Sequence, residues 1–251
     1  MVRIIMRGCN GKMGQNITSL VNADPDAVIV AGVDINGVQL NDYPVYTSMA
    51  DIKEEADAVI DFAAPTMLED LLNYGISKNV PLVLCTTAYS KEQIEMINEA
   101  SGKVAILRSA NMSMGVNTMM KVLEAVSKTL SDAGFDIEIV ERHHNQKVDA
   151  PSGTALALAD TINHCLNDEF EYVYDRSREL VKREKKEIGI SAVRGGTIVG
   201  EHEIIFAGTD EVIEFKHTAY SKAIFGKGAI QAAKFLKGKA AGMYDMRSVI
   251  G

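Results

Sequence analysis

Cysteine is scarce in this 251-residue sequence, and the three present, Cys9, Cys85 and Cys165, lie far apart with no CxxC pair. Neither a disulfide framework nor a metal site is expected, and a reducing compartment fits. Positive charge is in deficit. The 26 Lys and Arg residues face 34 Asp and Glu, a formal net charge of -8, so the bulk field repels phosphate backbones and no nucleic acid partner is expected. Long apolar runs are missing too: none approaches the roughly 18 residues of a membrane span, and the N-terminal run meets Gly8 too soon for a signal-peptide core. These absences predict a soluble, cytoplasmic protein with no membrane partner. Internal repeats and low-complexity segments are absent as well.

Apolar residues make up 47% of the chain, enough to furnish two cores. Residues 2–7 read as a buried strand ending at Gly8-Cys9-Asn10-Gly11-Lys12-Met13-Gly14, and Gln15 to Val21 then carries helical spacing at Ile17, Leu20 and Val21. A second strand, Val28 to Ala31, leads to Asp34, about 20 residues beyond the last loop glycine. Strand, glycine turn, helix and an acid at that distance form a dinucleotide-binding pattern, here spaced GxxGxxG. Glycine lets the turn approach a pyrophosphate, the helix N-terminus offers N–H groups, and Asp34 accepts from ribose hydroxyls.

Further strands at Ala58–Phe62, Val80–Cys85 and Val104–Leu107 alternate with helices at Leu68–Tyr74 and Ser90–Ala100, the second opened by Ser90 as N-cap with Gln93 as its box partner. Repeated βα units with nearly continuous apolar strands predict a parallel, doubly wound α/β sheet. Ligands of such sheets sit beyond the carboxyl ends of the strands. That rule nominates Gly8, Cys9, Asn10, Gly11, Lys12, Met13, Asp34, Phe62, Thr86, Thr87, Ser109, Ala110, Asn111 and Met112 as one rim.

The pattern changes near Met112. Asn117 to Leu130 reads as a helix and Asp136 to Val140 as a strand, and the later segments Ile188–Val193, Glu201–Ala207 and Glu211–Thr218 read as strands between glycine turns. This order predicts an α+β second domain with an antiparallel or mixed sheet. A last helix, Ala229 to Leu236, and the tail to Arg247 are expected to return to the first domain. The expected division is a dinucleotide domain over 1–112, a second domain over 113–217 and a C-terminal segment over 218–251. The charged run Arg176–Glu187 reads as a solvated face.

Within the second domain, Glu141 to Thr154 reads Glu-Arg-His-His-Asn-Gln-Lys-Val-Asp-Ala-Pro-Ser-Gly-Thr and runs on into an alanine-rich helix. Two adjacent imidazoles and Lys147 thus stand just before a helix mouth, which places acid, cation and anion receptor in one line. Pro151 suits the first helical position, and the N–H groups of Ser152, Gly153 and Thr154 suit a carboxylate. Asp149 reads as a helix-entry residue. His164, His202 and His217 read as structural or surface residues, and the methionines near the domain junction as adaptable packing.

The stretch 141–155 resembles the signature of the dihydrodipicolinate reductase family, also called 4-hydroxy-tetrahydrodipicolinate reductases. Other segments match the family nearly end to end: Gly8 to Gly14 resembles its nucleotide loop, Asp61-Phe-Ala-Ala-Pro and Cys85-Thr-Thr its nicotinamide-side loops, and Ser109-Ala-Asn-Met its hinge. Arg194 to His202, His217 to Lys222 and Tyr244 to Arg247 also match. The resemblance implies an N-terminal Rossmann domain, a substrate-binding and oligomerisation domain, and a homotetramer. It further implies hydride transfer from NAD(P)H to a small cyclic imine dicarboxylate, with loss of water, in lysine and diaminopimelate biosynthesis. By the family pattern His143 is the acid/base, Lys147 the proton donor, and His144 with Gly153 and Thr154 binds substrate. Cys85 joins the cofactor residues, where the family commonly has glycine. The signature is then the substrate-side jaw of a cleft whose other side is the nucleotide rim.

Asp34 repels a 2′-phosphate, and Ile35 stands where dual-cofactor relatives carry arginine, with Lys12 in partial compensation, so NADH is the expected preference and NADPH usable. Two other functions compete. A nucleotide-sensing binding protein would keep the glycine loop and lose the chemistry, which intact His143, His144 and Lys147 argue against. An acylating semialdehyde dehydrogenase would need a cysteine nucleophile near the hinge, and none lies between Cys85 and Cys165.

Overall fold

Two units, each with its own sheet and core, divide the chain: Met1–Met114 with Ala223–Gly251, and Gly115–Lys222. The computed structural model describes residues 1–109, 111–174, 176–177 and 180–251. The first unit opens with β1 (Val2–Arg7), α1 (Lys12–Asn22), β2 (Ala27–Val33), β3 (Val45–Tyr46), β4 (Ala58–Asp61), α2 (Leu68–Lys78), β5 (Leu82–Leu84), α3 (Lys91–Ser101) and β6 (Ala105–Arg108). The second contains α4 (Met114–Asp132), β7 (Asp136–His143), α5 (Gly153–Cys165), β8 (Glu171–Val173), β9 (Glu187–Arg194), β10 (Gly200–Ala207) and β11 (Val212–Ala219). The chain then completes the first unit with α6 (Ala223–Leu236), β12 (Gly242–Tyr244) and α7 (Met246–Ile250).

In the first unit seven strands form one parallel sheet in the order β12-β6-β5-β4-β1-β2-β3. Successive side chains of a strand point to opposite faces, and both faces here are covered. Ile4, Met6 and Ile60 join the cluster beneath α1 and α6, while Ile5, Val59 and Leu82 join the one beneath α2 and α3. This is why the strands read as continuous apolar runs rather than as alternation. α3 begins on the expected capping box, with Ser90 Oγ accepting from Gln93 N–H at 3.2 Å and Gln93 Oε1 from Ser90 N–H at 3.0 Å. The order reverses at β1, which pairs with β2 on one side and β4 on the other. At such a switch point the loops after neighbouring strands part and leave a crevice.

α6 begins six residues before the helix expected from the pattern. Gly226 and Gly228 interrupt the apolar spacing, and both are required by close approach. A Cβ on Gly226 would lie 3.0–3.1 Å from Leu20, Asn16 and Ile17 of α1, and one on Gly228 only 1.7 Å from the Met112 carbonyl oxygen. β12 adds to the edge strand β6, and Lys234 of α6 holds both oxygens of Asp24 at 2.9 and 2.7 Å.

The second unit carries a five-stranded mixed sheet, β11-β10-β7-β9-β8, antiparallel from β11 to β7 and parallel from β7 to β8. Leu123 of α4 and Leu158 and Ile162 of α5 pack with Ile137, Ile139, Ile190, Ile204 and Phe206 of the sheet. The charged run after β8 is exposed at most of its described positions, as expected of a solvated face, and its described arginines are paired as well. Arg176 bonds Glu138 and Glu187, and Arg183 reaches Asp136, Glu138 and the carbonyls of Ile137 and Glu187. Two arginines therefore pin part of this segment to β7 and β9; Arg178 and Glu179 of the run lie outside the described residues. Among the described residues no helix is long and apolar enough to cross a membrane.

Helix propensity alone favours alanine over glycine by about 1 kcal/mol. At Gly228 the neighbour is backbone, which cannot rotate away, and overpacking typically costs about 1–3 kcal/mol. Gly228→Ala should therefore lower the thermal unfolding midpoint; an unchanged or raised midpoint would overturn this packing account.

Candidate active site

The inward face of β7 starts apolar and ends ionisable. Ile137 and Ile139 are followed at the same two-residue spacing by Glu141 and His143, all four buried. On β10, His202 faces Glu141 in the antiparallel register and continues the row of Ile204 and Phe206. Arg194, the last residue of β9, is the register partner of His143. The sheet thus delivers two histidines, a glutamate and an arginine to one end of the second unit.

Glu141, with no exposed surface, is the hub of this group. Its Oε2 lies 2.6 Å from His143 Nδ1 and accepts from Arg194 Nη1 at 2.8 Å, while Oε1 accepts from Arg194 Nη2 at 2.7 Å and from Ser152 N–H at 2.9 Å. Burial opposes its ionisation, but the Arg194 guanidinium, the His143 ring and the Ser152 N–H outweigh it and hold the carboxyl below the usual range. An ionised carboxylate accepts only, so it draws the proton of neutral His143 to Nδ1 and leaves Nε2 for chemistry. Nε2 faces Gly200, where a Cβ would approach to 3.1 Å.

Ser152 is the N-cap of α5, with Oγ accepting from Ala155 N–H at 3.1 Å. Two expectations change here. Pro151 precedes the cap and stands outside the helix, and the Ser152 N–H already serves Glu141, so of the three amides assigned to a carboxylate it is not available. Gly153 is exposed, with open space where a Cβ would project; Thr154 follows in the first turn. Lys147 Nζ bonds Asp149 Oδ1 at 2.8 Å, and this pairing, chief among several causes, lowers the Asp149 carboxyl. Asp149 is thus the lysine's partner as well as a loop residue. His144 is half-buried just past β7 and accepts from Lys147 N–H through its carbonyl at 3.1 Å.

His202, read from sequence as structural, belongs to this site. Its Nε2 is 3.0 Å from Ser152 Oγ, and its ring meets that of His143 edge-on at 5.2 Å between centroids. Burial first, then the nearby His143, pushes its pKa down to about 4, so it is neutral near pH 7. Glu141 and Arg194 were also not singled out. The signal was the alternation of β7, β9 and β10, which puts Glu141 and His202 in the rows of core isoleucines and Arg194 at the end of the row of Ile188 and Ile190.

In the first unit the carboxyl ends of β1, β2, β4, β5 and β6 share one edge because every pairing is parallel. Gly8, Gly11, Asp34, Ile35, Thr47 and Phe62 contribute to the lining of a cavity of about 240 Å³ at that edge. Gly8 adopts φ +80°, and a Cβ there would lie 3.0 Å from the Phe62 carbonyl; at Gly14 it would lie 2.2 Å from the Gly8 carbonyl. Gly11 is the N-cap of α1 and its carbonyl receives the Gln15 N–H at 3.0 Å, so the amides of Lys12, Met13 and Gly14 precede the first intrahelical bond. Asp34 Oδ2 accepts from Asn10 N–H at 3.0 Å, and the Asn10 amide bonds Asn36 and Val38, joining the glycine loop to the turn after β2.

Not every rim residue turns its side chain outward. Cys9 and Met112 are buried in the core, and burial raises the Cys9 thiol to about 11. The Cys85 thiol is likewise raised by burial, and the Thr86 hydroxyl turns inward to Asp61 and the Ala63 carbonyl. Thr87 is exposed, and Ser109 Oγ donates to the Asn111 carbonyl at 3.1 Å. Ala110 lies outside the described residues. The glycine cradle, which side chains would fill, together with Asp34 across the cavity, fits a dinucleotide.

The comparisons agree with both units. Residues 2–112 match the family model for the dihydrodipicolinate reductase N-terminus and residues 115–250 that for its C-terminus. A 4-hydroxy-tetrahydrodipicolinate reductase of Clostridium tetani is 52% identical, with 98% of this chain and 96% of that one covered. The reductase of Caldanaerobacter subterraneus subsp. tengcongensis is 49% identical over 100% of this chain and 98% of its own. Among solved structures, a dipicolinate-bound dihydrodipicolinate reductase from Paenisporosarcina sp. TG-14 shares the fold, with a TM-score of 0.82 at 24% identity and 100% of each chain covered. The chain belongs to the dihydrodipicolinate reductase family, nicotinamide-dinucleotide-dependent oxidoreductases that reduce 4-hydroxy-tetrahydrodipicolinate to tetrahydrodipicolinate in lysine and diaminopimelate biosynthesis.

Proposed function

We propose that the end of the second unit's sheet is the substrate and proton-transfer site, with His143 as acid/base, Lys147 as proton donor, His144, Gly153 and Thr154 as substrate binders, and Ser152, whose N–H serves Glu141, as the residue that sets the helix mouth for them. The observation that carries this reading is the His143 Nδ1–Glu141 contact of 2.6 Å, backed by Arg194, which holds the ring by Nδ1 and leaves Nε2 on the side of Gly200. A ring dicarboxylate suits the start of α5, and the dipicolinate-bound relative supports that ligand class. When bound, the reduced nicotinamide supplies the hydride. Hydride addition leaves electron density on the substrate ring, so the Lys147 ammonium both stabilises that charge and carries a proton for it. A substrate carboxylate would compete with Asp149 for Lys147 and draw it toward the ring.

On the cofactor side, Gly8, Asn10, Gly11, Lys12 and Met13 would hold the pyrophosphate through the turn and helix N-terminus, with Cys9 contributing backbone. Asp34 would accept from the ribose, and Phe62, Cys85, Thr86, Thr87 and the 109–112 segment would border the nicotinamide end. Asp34 retains acceptor capacity beyond its bond to Asn10, and exposed Ile35 places no cation beside it, which supports NADH over NADPH. The family pattern supports a cytoplasmic homotetramer.

A coupled assay in which the preceding synthase product is offered with NADH tests the assignment. The double variant His143→Ala, Lys147→Ala should lose about 10²- to 10⁴-fold in kcat with modest change in NADH affinity; undiminished turnover would overturn the roles given. Glu141→Gln replaces an acceptor with an amide that can donate to the ring, so kcat should fall by about 10²-fold. An unchanged kcat there would remove Glu141 from the account. Michaelis constants for the two cofactors should be lower for NADH, and a clear NADPH preference would sink the Asp34 argument.

A further inference from the structure

Beneath the dinucleotide rim lies a buried ion pair that neither the glycine loop nor the signature accounts for. Arg7, the last residue of β1, and Asp61, the last of β4, are register partners across the switch point. Their charged groups meet at 2.6 Å, with side chains 6% and 2% exposed. Each partner also reaches a loop. Arg7 Nη2 donates to the Met67 carbonyl at 3.0 Å, and Asp61 Oδ1 accepts from Ala63 N–H at 3.1 Å, so both hold the segment after β4. Asp61 Oδ2 lies 2.9 Å from the Thr86 hydroxyl and 3.5 Å from that of Tyr89, both after β5. Burial, and next the Asp61 charge, raise the Tyr89 hydroxyl, which keeps it a donor. Arg7 itself sits immediately before Gly8 and lines the cavity that Gly8, Asp34 and Met67 enclose.

We propose that the Arg7–Asp61 pair is the positioning element of the dinucleotide site: it locks the loops after β1, β4 and β5 into one geometry and so sets cofactor affinity. The inference deepens the dinucleotide reading of this unit and rests on it. Core packing alone does not require it. A buried ion pair is weak evidence for stability, because apolar residues of similar volume often serve as well. What an apolar pair cannot supply is a set of directed bonds to Met67, Ala63, Thr86 and Tyr89, which lie on the loops rather than in the core. The arginine fork matters here: one nitrogen holds the carboxylate while the other holds a carbonyl, a division that lysine, a single point of charge, makes poorly.

The test separates positioning from stability. Arg7→Met, Arg7→Lys and the double variant Arg7→Met, Asp61→Leu are titrated with NADH and with NADPH by calorimetry, and their thermal midpoints are measured without cofactor. The single Arg7→Met change strands a buried carboxylate and should lower the midpoint; the double apolar variant should recover most of it. Cofactor affinity should not recover with it: it should stay about tenfold or more below wild type, because misplaced loops lose aligned contacts. Arg7→Lys should fall between. In the coupled assay the loss should fall on the KM for the cofactor, and the KM for substrate should not follow it. Affinity that returns to the wild-type value in the double variant would show a merely structural pair and overturn the proposal. Wild-type protein that binds neither dinucleotide would instead overturn the dinucleotide reading itself. Should the double variant fail to fold, Arg7→Lys decides alone: wild-type affinity in a stably folded Arg7→Lys variant refutes the positioning role, and weakened affinity supports it.

Discussion

A carboxylate with no access to water, Glu141, holds one end of the second unit's sheet together. An isolated charge in that position would be expelled or protonated. It stays ionised because three donors from three elements converge on it: the His143 ring from its own strand, the Arg194 fork from β9, and the Ser152 amide from the entry to α5. Each bond satisfies the acid and constrains the donor. The ring acquires a tautomer and an orientation, the end of β9 is fixed beside β7, and the helix mouth is set at a defined height. Bidentate pairing with arginine is what makes this feasible, since it supplies both charge and geometry.

The first unit uses the same device for a different end. On β1 the inward row runs from Ile5 to Arg7, and on β4 from Val59 to Asp61; on β7 it runs from Ile137 and Ile139 to Glu141 and His143. In every case a buried charge stands on this row at the carboxyl end of the strand, where the loops begin. The difference lies in what the buried charge touches. Glu141 touches a ring assigned to chemistry, and Asp61 touches loop hydroxyls and amides. Two-residue periodicity thus does two tasks on one strand: it fills the interior and then delivers charge to the edge.

Features set by near neighbours were legible in the sequence. The buried strand runs, the glycine turn before α1, the Ser90–Gln93 box and the list of residues from 141 to 154 all depend on side chains a few positions apart. The family resemblance supplied the roles within that list. Features set by distant partners were not legible. Arg194 lies 53 positions from Glu141, and His202 lies 50 from Ser152, so neither pairing has a local trace. The start of α6 was hidden because Gly226 and Gly228 answer to contacts with α1 and Met112, not to helix formation. Ser152 was placed at a helix mouth correctly as a residue, yet its amide had a buried acceptor that only the folded sheet reveals.

The two histidines at this site show why residue type alone could not assign them. His143 and His202 sit 5.2 Å apart on neighbouring strands, both buried and both on the inward face. One bonds a carboxylate and the other a hydroxyl. A carboxylate partner fixes the His143 ring through Nδ1 and sets a negative charge beside it. A hydroxyl sets no such charge, and burial then keeps His202 neutral well below pH 7. That neutrality has a consequence for its neighbour. A second cation at this distance would repel protonated His143, whereas a neutral ring can pack edge-on against it and hold Ser152 at the same time. Environment therefore divides two like residues: one ring is held by a buried carboxylate, the other is kept neutral against a hydroxyl.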